Sequence, residues 1–328
     1  MKPSQFAVLL ALGITWGASF LFIKVLVDEI DPVLIVAGRI LFGVVVMAGI
    51  VAARRLPLPT TRAAYAWILF LAAFGSTLPF LLITWGETEI DSGTAAVLNA
   101  SVPLFTAVIS IWFLSDEYLS PSKVLGLTGG FFGVAILSGA DLFNLGRNAL
   151  LGDLAVIVAS LSYGFAAIVA RRHLRGENPI SLGACQLAFA LVLITPFTLA
   201  FEPPSAVSQI EFGEWLAWLA LGFAGTGLAY WAYYWLIAEV GAVKATMVTY
   251  ILPAVGVFLG WAVLDEGLGW NVLAGLALII AGIALINEVA VSERWRRPLL
   301  RAQASRSEPL ADPPPVAGSP VGDPGELT

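Results

Sequence analysis

Two prolines interrupt apolar runs of membrane length. Pro103 stands four residues after Asn99, and Pro253 four residues after Thr249. A proline inside a helix has no N–H, so the carbonyl four residues back loses its partner. Here those carbonyls belong to residues that also bring polar side chains. In lipid, such groups are tolerated only against protein or a water-filled cavity. Asn99, Pro103, Thr249 and Pro253 are therefore candidate ligand contacts near the middle of their spans. The alternative is a pair of ordinary kinks packed into a bundle.

Charge and aromatic rings give the next candidates. Arg39 lies about 9 Å into its apolar run. An unsatisfied cation at the bilayer centre costs about 2.5–3.5 kcal/mol on insertion scales. Such a residue attracts a substrate carboxylate or holds a structural partner. Lys24 is nearer a span end and can snorkel to the interface. Tyr230 and Tyr234 share one helical face, and with Trp16 and Tyr163 they can line a cavity and stack on a substrate. Trp85 and Trp235 are equally suited to an interfacial aromatic belt. Gln186 and Arg171 fall toward the opposite mouth from Arg39 and Lys24, so Lys24, Trp85, Arg171 and Trp235 are read as gate or mouth residues.

These residues need membrane helices to position them. The chain of 328 residues is 59% hydrophobic and 12% charged, with a mean hydropathy of +0.87. That balance belongs to a membrane protein rather than a soluble domain. The runs predict spans near 6–27, 33–53, 64–86, 92–114, 122–140, 150–172, 179–201, 212–238, 241–264 and 268–290. The first run has no small-residue cleavage pattern and continues into Asp28-Glu29, so it reads as a span and not a signal peptide.

Lys and Arg are unevenly distributed. One set of connections holds Arg54, Arg55, Arg62, Lys123, Arg171, Arg172 and Arg175, and the C-terminal flank holds Arg294, Arg296, Arg297 and Arg301. The alternate set holds Asp28, Glu29, Asp31, Glu87, Glu89, Asp91, Glu202, Glu211 and Glu214. The positive-inside rule makes the basic set cytoplasmic, so both termini are expected inside a plasma (bacterial inner) membrane. Residues 298–328 are rich in Pro, Ala, Ser, Gly and Asp and are expected to form a disordered cytoplasmic tail.

The chain also repeats itself. Phe74-Gly75-Ser76-Thr77 matches Ala224-Gly225-Thr226-Gly227, and Trp85 matches Trp235. Pro103 matches Pro253, Glu117 matches Glu266, and Phe132-Gly133-Val134-Ala135 matches Ala281-Gly282-Ile283-Ala284. Trp16-Gly17 matches Tyr163-Gly164, Lys24 matches Arg171, and Arg39 matches Gln186. The repeats cover 1–140 and 150–290. Each holds an odd number of spans, so the second copy must run inverted, an arrangement typical of secondary transporters. Gly13/Gly17, Gly126/Gly130, Gly129/Gly133 and Gly256/Gly260 form GxxxG pairs suited to close helix packing.

Several chemistries are missing. There is no GxxxxGK[ST] loop, no HExxH and no CxxC. Cys185 and His173 are single residues of their kinds, so no metal, no cofactor and no catalytic residue is expected. No nucleic-acid partner is expected either. No Asp or Glu falls at mid-span, so the usual buried-carboxylate proton relay is not expected.

With these residues in hand, the chain resembles an EamA-type member of the drug/metabolite transporter (DMT) superfamily over about residues 6–290. Trp16-Gly17 with Lys24, Arg39, the Pro103…Glu117 and Pro253…Glu266 stretches, and the glycines Gly126/Gly133 and Gly275/Gly282 carry the resemblance. It implies an all-α integral membrane protein of ten transmembrane helices, arranged as two inverted five-helix repeats around a central cavity. It also implies export of amino acids or related small metabolites. Tyr163 departs from the family's first-span Trp. The expected function is a secondary transporter working by alternating access, with a small-molecule substrate and the lipid bilayer as partners. Export of drugs or nucleobase-like metabolites, a channel and a membrane-embedded enzyme are the alternatives. Substrate identity, driving force and oligomeric state stay open.

Overall fold

Helix boundaries follow local chemistry. The N-terminal helix α1 covers Pro3–Val27. In α2 (Pro32–Arg54), Asp31 caps the start by accepting from the Val33 N–H at 2.8 Å, and Pro32 fits the first turn. Arg55, at φ 50°, ends α2 in the left-handed region. Thr61 caps α3 (Arg62–Ala72) through the Ala64 N–H at 3.1 Å. A π-helical turn, Ala73–Thr77, leads directly into α4 (Leu78–Gly86).

Next come α5 (Ser92–Asn99), α6 (Val102–Phe113), α7 (Pro121–Asn144) and α8 (Arg147–His173). Asn178 starts α9 (Pro179–Phe201) by accepting from the Ile180 and Ser181 N–H groups, both at 3.1 Å. A second π-helical turn, Ala220–Leu228, joins α10 (Phe212–Leu219) to α11 (Ala229–Val240). The last two described helices are α12 (Val248–Leu264) and α13 (Trp270–Ile286).

This computed structural model describes residues 2–113, 121–144, 147–201, 210–240, 245 and 248–286, with backbone alone at 138–144, 147 and 286. The expected tail at 298–328, and Glu117 of the repeat, lie outside the described residues. Among those described, every regular element is helical.

Among the described residues, six helical stretches are long and apolar enough to cross a membrane: Pro3–Val27, Pro32–Arg54, Arg62–Gly86, Ser92–Phe113, Asn148–His173 and Pro179–Phe201. Pro121–Leu137, Val248–Leu264 and Trp270–Leu285 are shorter apolar helices. The bundle turns large apolar side chains outward; Trp112 is 81% and Leu199 79% exposed. In water those faces would be unfavourable, whereas acyl chains solvate them.

Helices approach closely where glycines line the contact. A Cβ on Gly17 would lie 2.8 Å from the Leu252 carbonyl oxygen, and one on Gly275 would lie 3.1 Å from the Gly133 carbonyl oxygen. These contacts pack α1 on α12 and α7 on α13, as the GxxxG spacing predicts. Leu26, Ile35, Leu98 and Leu104, all fully buried, anchor the largest apolar cluster.

The two prolines differ from the sequence expectation. The single span expected over 92–114 is two helices, broken at Ala100–Ser101. Pro103 is therefore the second residue of α6, where a missing N–H costs nothing. Pro253 stays inside the continuous helix α12. Positions paired by sequence thus differ in structure, one at a break and the other in an unbroken helix.

Candidate functional site

Arg39 is 5% exposed and sits one-third of the way along α2. Its Nε donates to the Thr226 hydroxyl at 3.3 Å. Its guanidinium carbon lies 3.8 Å from the Phe80 ring centroid. Thr226 in turn donates to the Leu221 carbonyl at 3.1 Å, a five-residue reach inside the second π-helical turn. Among the described residues, no carboxylate forms an ion pair with Arg39. A guanidinium carries five N–H donors, so most of its capacity remains for a planar anion.

Gln186, on α9 and 5% exposed, makes the densest set of polar contacts. Its Nε2 donates to the Ser76 hydroxyl at 2.9 Å and faces the Gly75 and Leu71 carbonyls at 3.2 and 3.4 Å. Gly75 and Ser76 lie within the first π-helical turn and Leu71 just before it; the wider winding turns carbonyls away from regular i→i−4 pairing. Tyr234 donates to Gln186 Oε1 at 3.0 Å. The Tyr230 and Ser76 hydroxyls share a 3.0 Å hydrogen bond. Tyr230 and Tyr234 do share a face, with ring centroids 6.1 Å apart.

Tyr163 joins this group from α8. It packs with Tyr230 against the buried cluster that includes Ile40 and Phe80. The structure therefore brings Arg39, Tyr163, Gln186, Tyr230 and Tyr234 into one polar–aromatic zone. Sequence reasoning missed Ser76, Thr226 and Phe80. The repeat had already paired Ser76 with Thr226, but as markers of duplication and not as ligands.

The other candidates lie elsewhere. Trp16 packs on Tyr233, with centroids 5.2 Å apart. Asn99 ends α5 with its Oδ1 buried and unpartnered, next to the helix break. Thr249 is half-buried at the start of α12, and Pro253 is buried further along. Trp235 stacks on Trp231 at 6.4 Å, and Arg54 lies 5.7 Å from the Trp231 ring. Arg171, near the end of α8, accepts from Arg175 through its carbonyl. Trp85 is 41% exposed at the end of α4, as a belt residue would be.

Lys24 does not simply snorkel. Its Nζ donates to the Glu87 and Ile90 carbonyls at 2.8 and 3.1 Å, holding the turn between α4 and α5. Glu266 caps α5 from beyond α12, accepting from the Ser92 and Gly93 N–H groups at 2.7 and 2.9 Å. Glu87, one residue beyond the span Arg62–Gly86, is fully buried, and neither carboxylate oxygen has a hydrogen-bond partner among the described residues. Burial holds its carboxyl well above the usual carboxylate range, opposed by the nearby Lys24 and Arg39 charges and reinforced by Glu266. Asp153 on α8 is also fully buried. The sequence placed Glu87 among the loop acids and did not single out Asp153, because both lie near helix ends where acids are normally solvated.

This zone can bind and orient. A buried cation, an aromatic face and a row of hydroxyl and amide groups suit a small molecule with an anionic end. Among the described residues, no three His, Cys, Asp or Glu side chains are grouped to hold a metal ion.

Known proteins resemble the chain along most of its length. The EamA-like transporter family matches residues 5–139 and again 150–288. The uncharacterized transporter YoaV of Bacillus subtilis (strain 168) is 28% identical over 288 residues, covering 87% of this chain and 97% of its own. A probable terminal-alkyne amino-acid exporter of Streptantibioticus cattleyicolor is 25% identical, covering 86% of this chain and 92% of its own. A solved crystal structure, 19% identical, matches 89% of this chain and 99% of that one with a TM-score of 0.63, a likeness of fold alone. With both halves matched by one family of multi-pass membrane transporters, the chain belongs to the EamA-like transporter family.

Proposed function

We propose that this chain is a secondary transporter that exports small carboxylate-bearing metabolites, amino acids among them, by alternating access. The observation that carries the reading is Arg39, a buried guanidinium over Phe80 with a hydroxyl for its neighbour and, among the described residues, no carboxylate paired to it. A charge buried without a counter-ion is costly, and a substrate carboxylate removes that cost when it binds. Tyr163, Tyr230 and Tyr234 offer ring surface for the rest of the molecule. The amino-acid exporter among the relatives agrees with this class.

The inverted-repeat arrangement belongs to the same proposal. Arg39 reaches Thr226 and Gln186 reaches Ser76. The repeat pairs Arg39 with Gln186 and Ser76 with Thr226, so two matched contacts cross between the halves. Each half would then hold one side of the site, and rocking about these contacts would open the ends in turn. At one end Arg172 reaches the Phe113 carbonyl and His173 stacks on Trp67. The basic residues of that end support its being cytoplasmic, with both termini inside the plasma membrane.

Counterflow in proteoliposomes with a mixed amino-acid panel tests the function. Saturable exchange of a subset is expected. Flux that never saturates would point to a pore, and absence of any exchange by folded protein would remove the amino-acid reading.

A further inference from the structure

We propose that Glu87 is a proton-binding site whose ionisation is linked to opening of the bundle end formed by the α4–α5 turn. The inference rests on the transporter reading, since it assigns that transporter a proton-dependent step.

Glu87 is fully buried at the end of α4, and among the described residues both its carboxylate oxygens lack hydrogen-bond partners. An ionised carboxylate in such a place is costly, whereas a protonated one is tolerated. Its own backbone is pinned; the Glu87 carbonyl accepts from Lys24 at 2.8 Å, so the side chain cannot drift far while the turn holds. Close packing keeps water out. A Cβ on Gly86 would lie 3.0 Å from the Gly152 carbonyl oxygen and 2.9 Å from a Val156 methyl.

The charged groups around it come from every packed element. Lys24 faces it from α1 and Arg39 from α2, both favouring the charged form. Glu266, beyond α12, favours the neutral form. On α8, Asp153 follows Gly152, which packs on Gly86. Within its own turn stand Glu89 and Asp91. The Glu266 cap on Ser92 and Gly93 and the Lys24 bonds to Glu87 and Ile90 close this end together.

Parting the Glu266 cap from α5 would admit water to Glu87. The O–H bond then breaks, the proton passes to water, and the carboxylate remains beside the Lys24 ammonium. Closing again requires a proton to return, because the closed site gives the anion no donor. The closed form therefore binds one proton more than the open form. Linkage makes the closed–open equilibrium shift by up to about tenfold per pH unit, toward open as pH rises.

Two readouts on full-length protein in proteoliposomes separate the outcomes. Infrared difference spectroscopy reads the carbonyl stretch of a protonated carboxylic acid without any substrate. Amino-acid counterflow across a pH series reads the transport step. A protonated-acid band at neutral pH that disappears in Glu87→Gln, with a pH-dependent flux that becomes flat in the variant, is the expected result. Should Glu87→Gln fold poorly, Lys24→Gln should move loss of the band to higher pH. No band, or an identical pH response in Glu87→Gln, would overturn the proton site. Saturable flux with a flat profile in the unmutated protein would overturn the linkage while sparing the transporter reading. A Glu87 band without flux of any amino acid would overturn the transport reading, and the coupled step with it.

Discussion

Arg39 and Thr226 meet across a sequence distance of 187 residues, Nε to Oγ1, at 3.3 Å. The second π-helical turn makes the contact possible, because it lets the Thr226 hydroxyl reach back to Leu221 while facing Arg39. Gln186 and Ser76 form a matching contact at the first π-helical turn. Both turns expose polar atoms inside an apolar bundle, a feature that π-helical geometry provides and a regular α-helix does not.

Removing the Arg39 charge should cost carboxylate recognition first. A hydrogen bond to a charged group contributes about 1.5–3 kcal/mol, so Arg39→Gln should raise KM for carboxylate substrates by about ten- to a hundredfold. Neutral analogues should change much less. Transport assays on both substrate classes, with membrane abundance measured in parallel, check this.

The Tyr234 hydroxyl donates to Gln186 Oε1 and so orients its amide. Tyr234→Phe keeps the ring and removes one neutral hydrogen bond, worth about 1 kcal/mol. A severalfold loss of transport is expected, with little change in thermal stability in detergent. Gln186→Ala should be more severe, since it also strips partners from Ser76 and the Gly75 carbonyl.

Asn99 and Thr249 were read from sequence as midplane contacts, and only Asn99 lies at a helix break. Asn99→Ala should lower transport without lowering membrane abundance, because its buried Oδ1 makes no internal hydrogen bond. Thr249→Ala, in a continuous helix, should have a smaller effect. Equal kinetics for both variants and the unmutated protein would remove this region from the substrate path.

Glu266 supplies the latch at the acidic end. Glu266→Ala removes two charge-assisted bonds to the start of α5, a loss of about 2 kcal/mol or more for the closed arrangement. A cysteine placed at Ser92, in a protein with Cys185 replaced by Ser, should then react with a water-soluble thiol reagent at least several times faster than with Glu266 present.

The helices were largely legible in sequence because a continuous apolar run has few other uses. Of the glycine pairs, Gly13/Gly17 and Gly256/Gly260 mark real helix contacts, whereas Gly129 meets nothing within 4 Å. The interruption at Pro103 was placed in the right span, but Pro103 and Pro253 were read as an equivalent pair, since a proline signals interruption without saying where the preceding helix stops. Arg39, Gln186, Tyr230 and Tyr234 were visible as polar residues in apolar runs. Their partners Ser76 and Thr226 were not, because small hydroxyl residues are common in membrane helices and their role arises only through the π-helical turns. Glu87 was hidden for a different reason. Its position at a helix end looks solvated in sequence, and only the packing of α8 against α4 buries it.

Competition in counterflow between amino acids and their carboxamide analogues tests the central claim most directly. The account predicts that amino acids compete with the exchanged substrate at least tenfold better than the amides, and that Arg39→Gln abolishes this preference. Equal competition by acids and amides in the unmutated protein would contradict a carboxylate-binding role for Arg39 and leave it a structural residue.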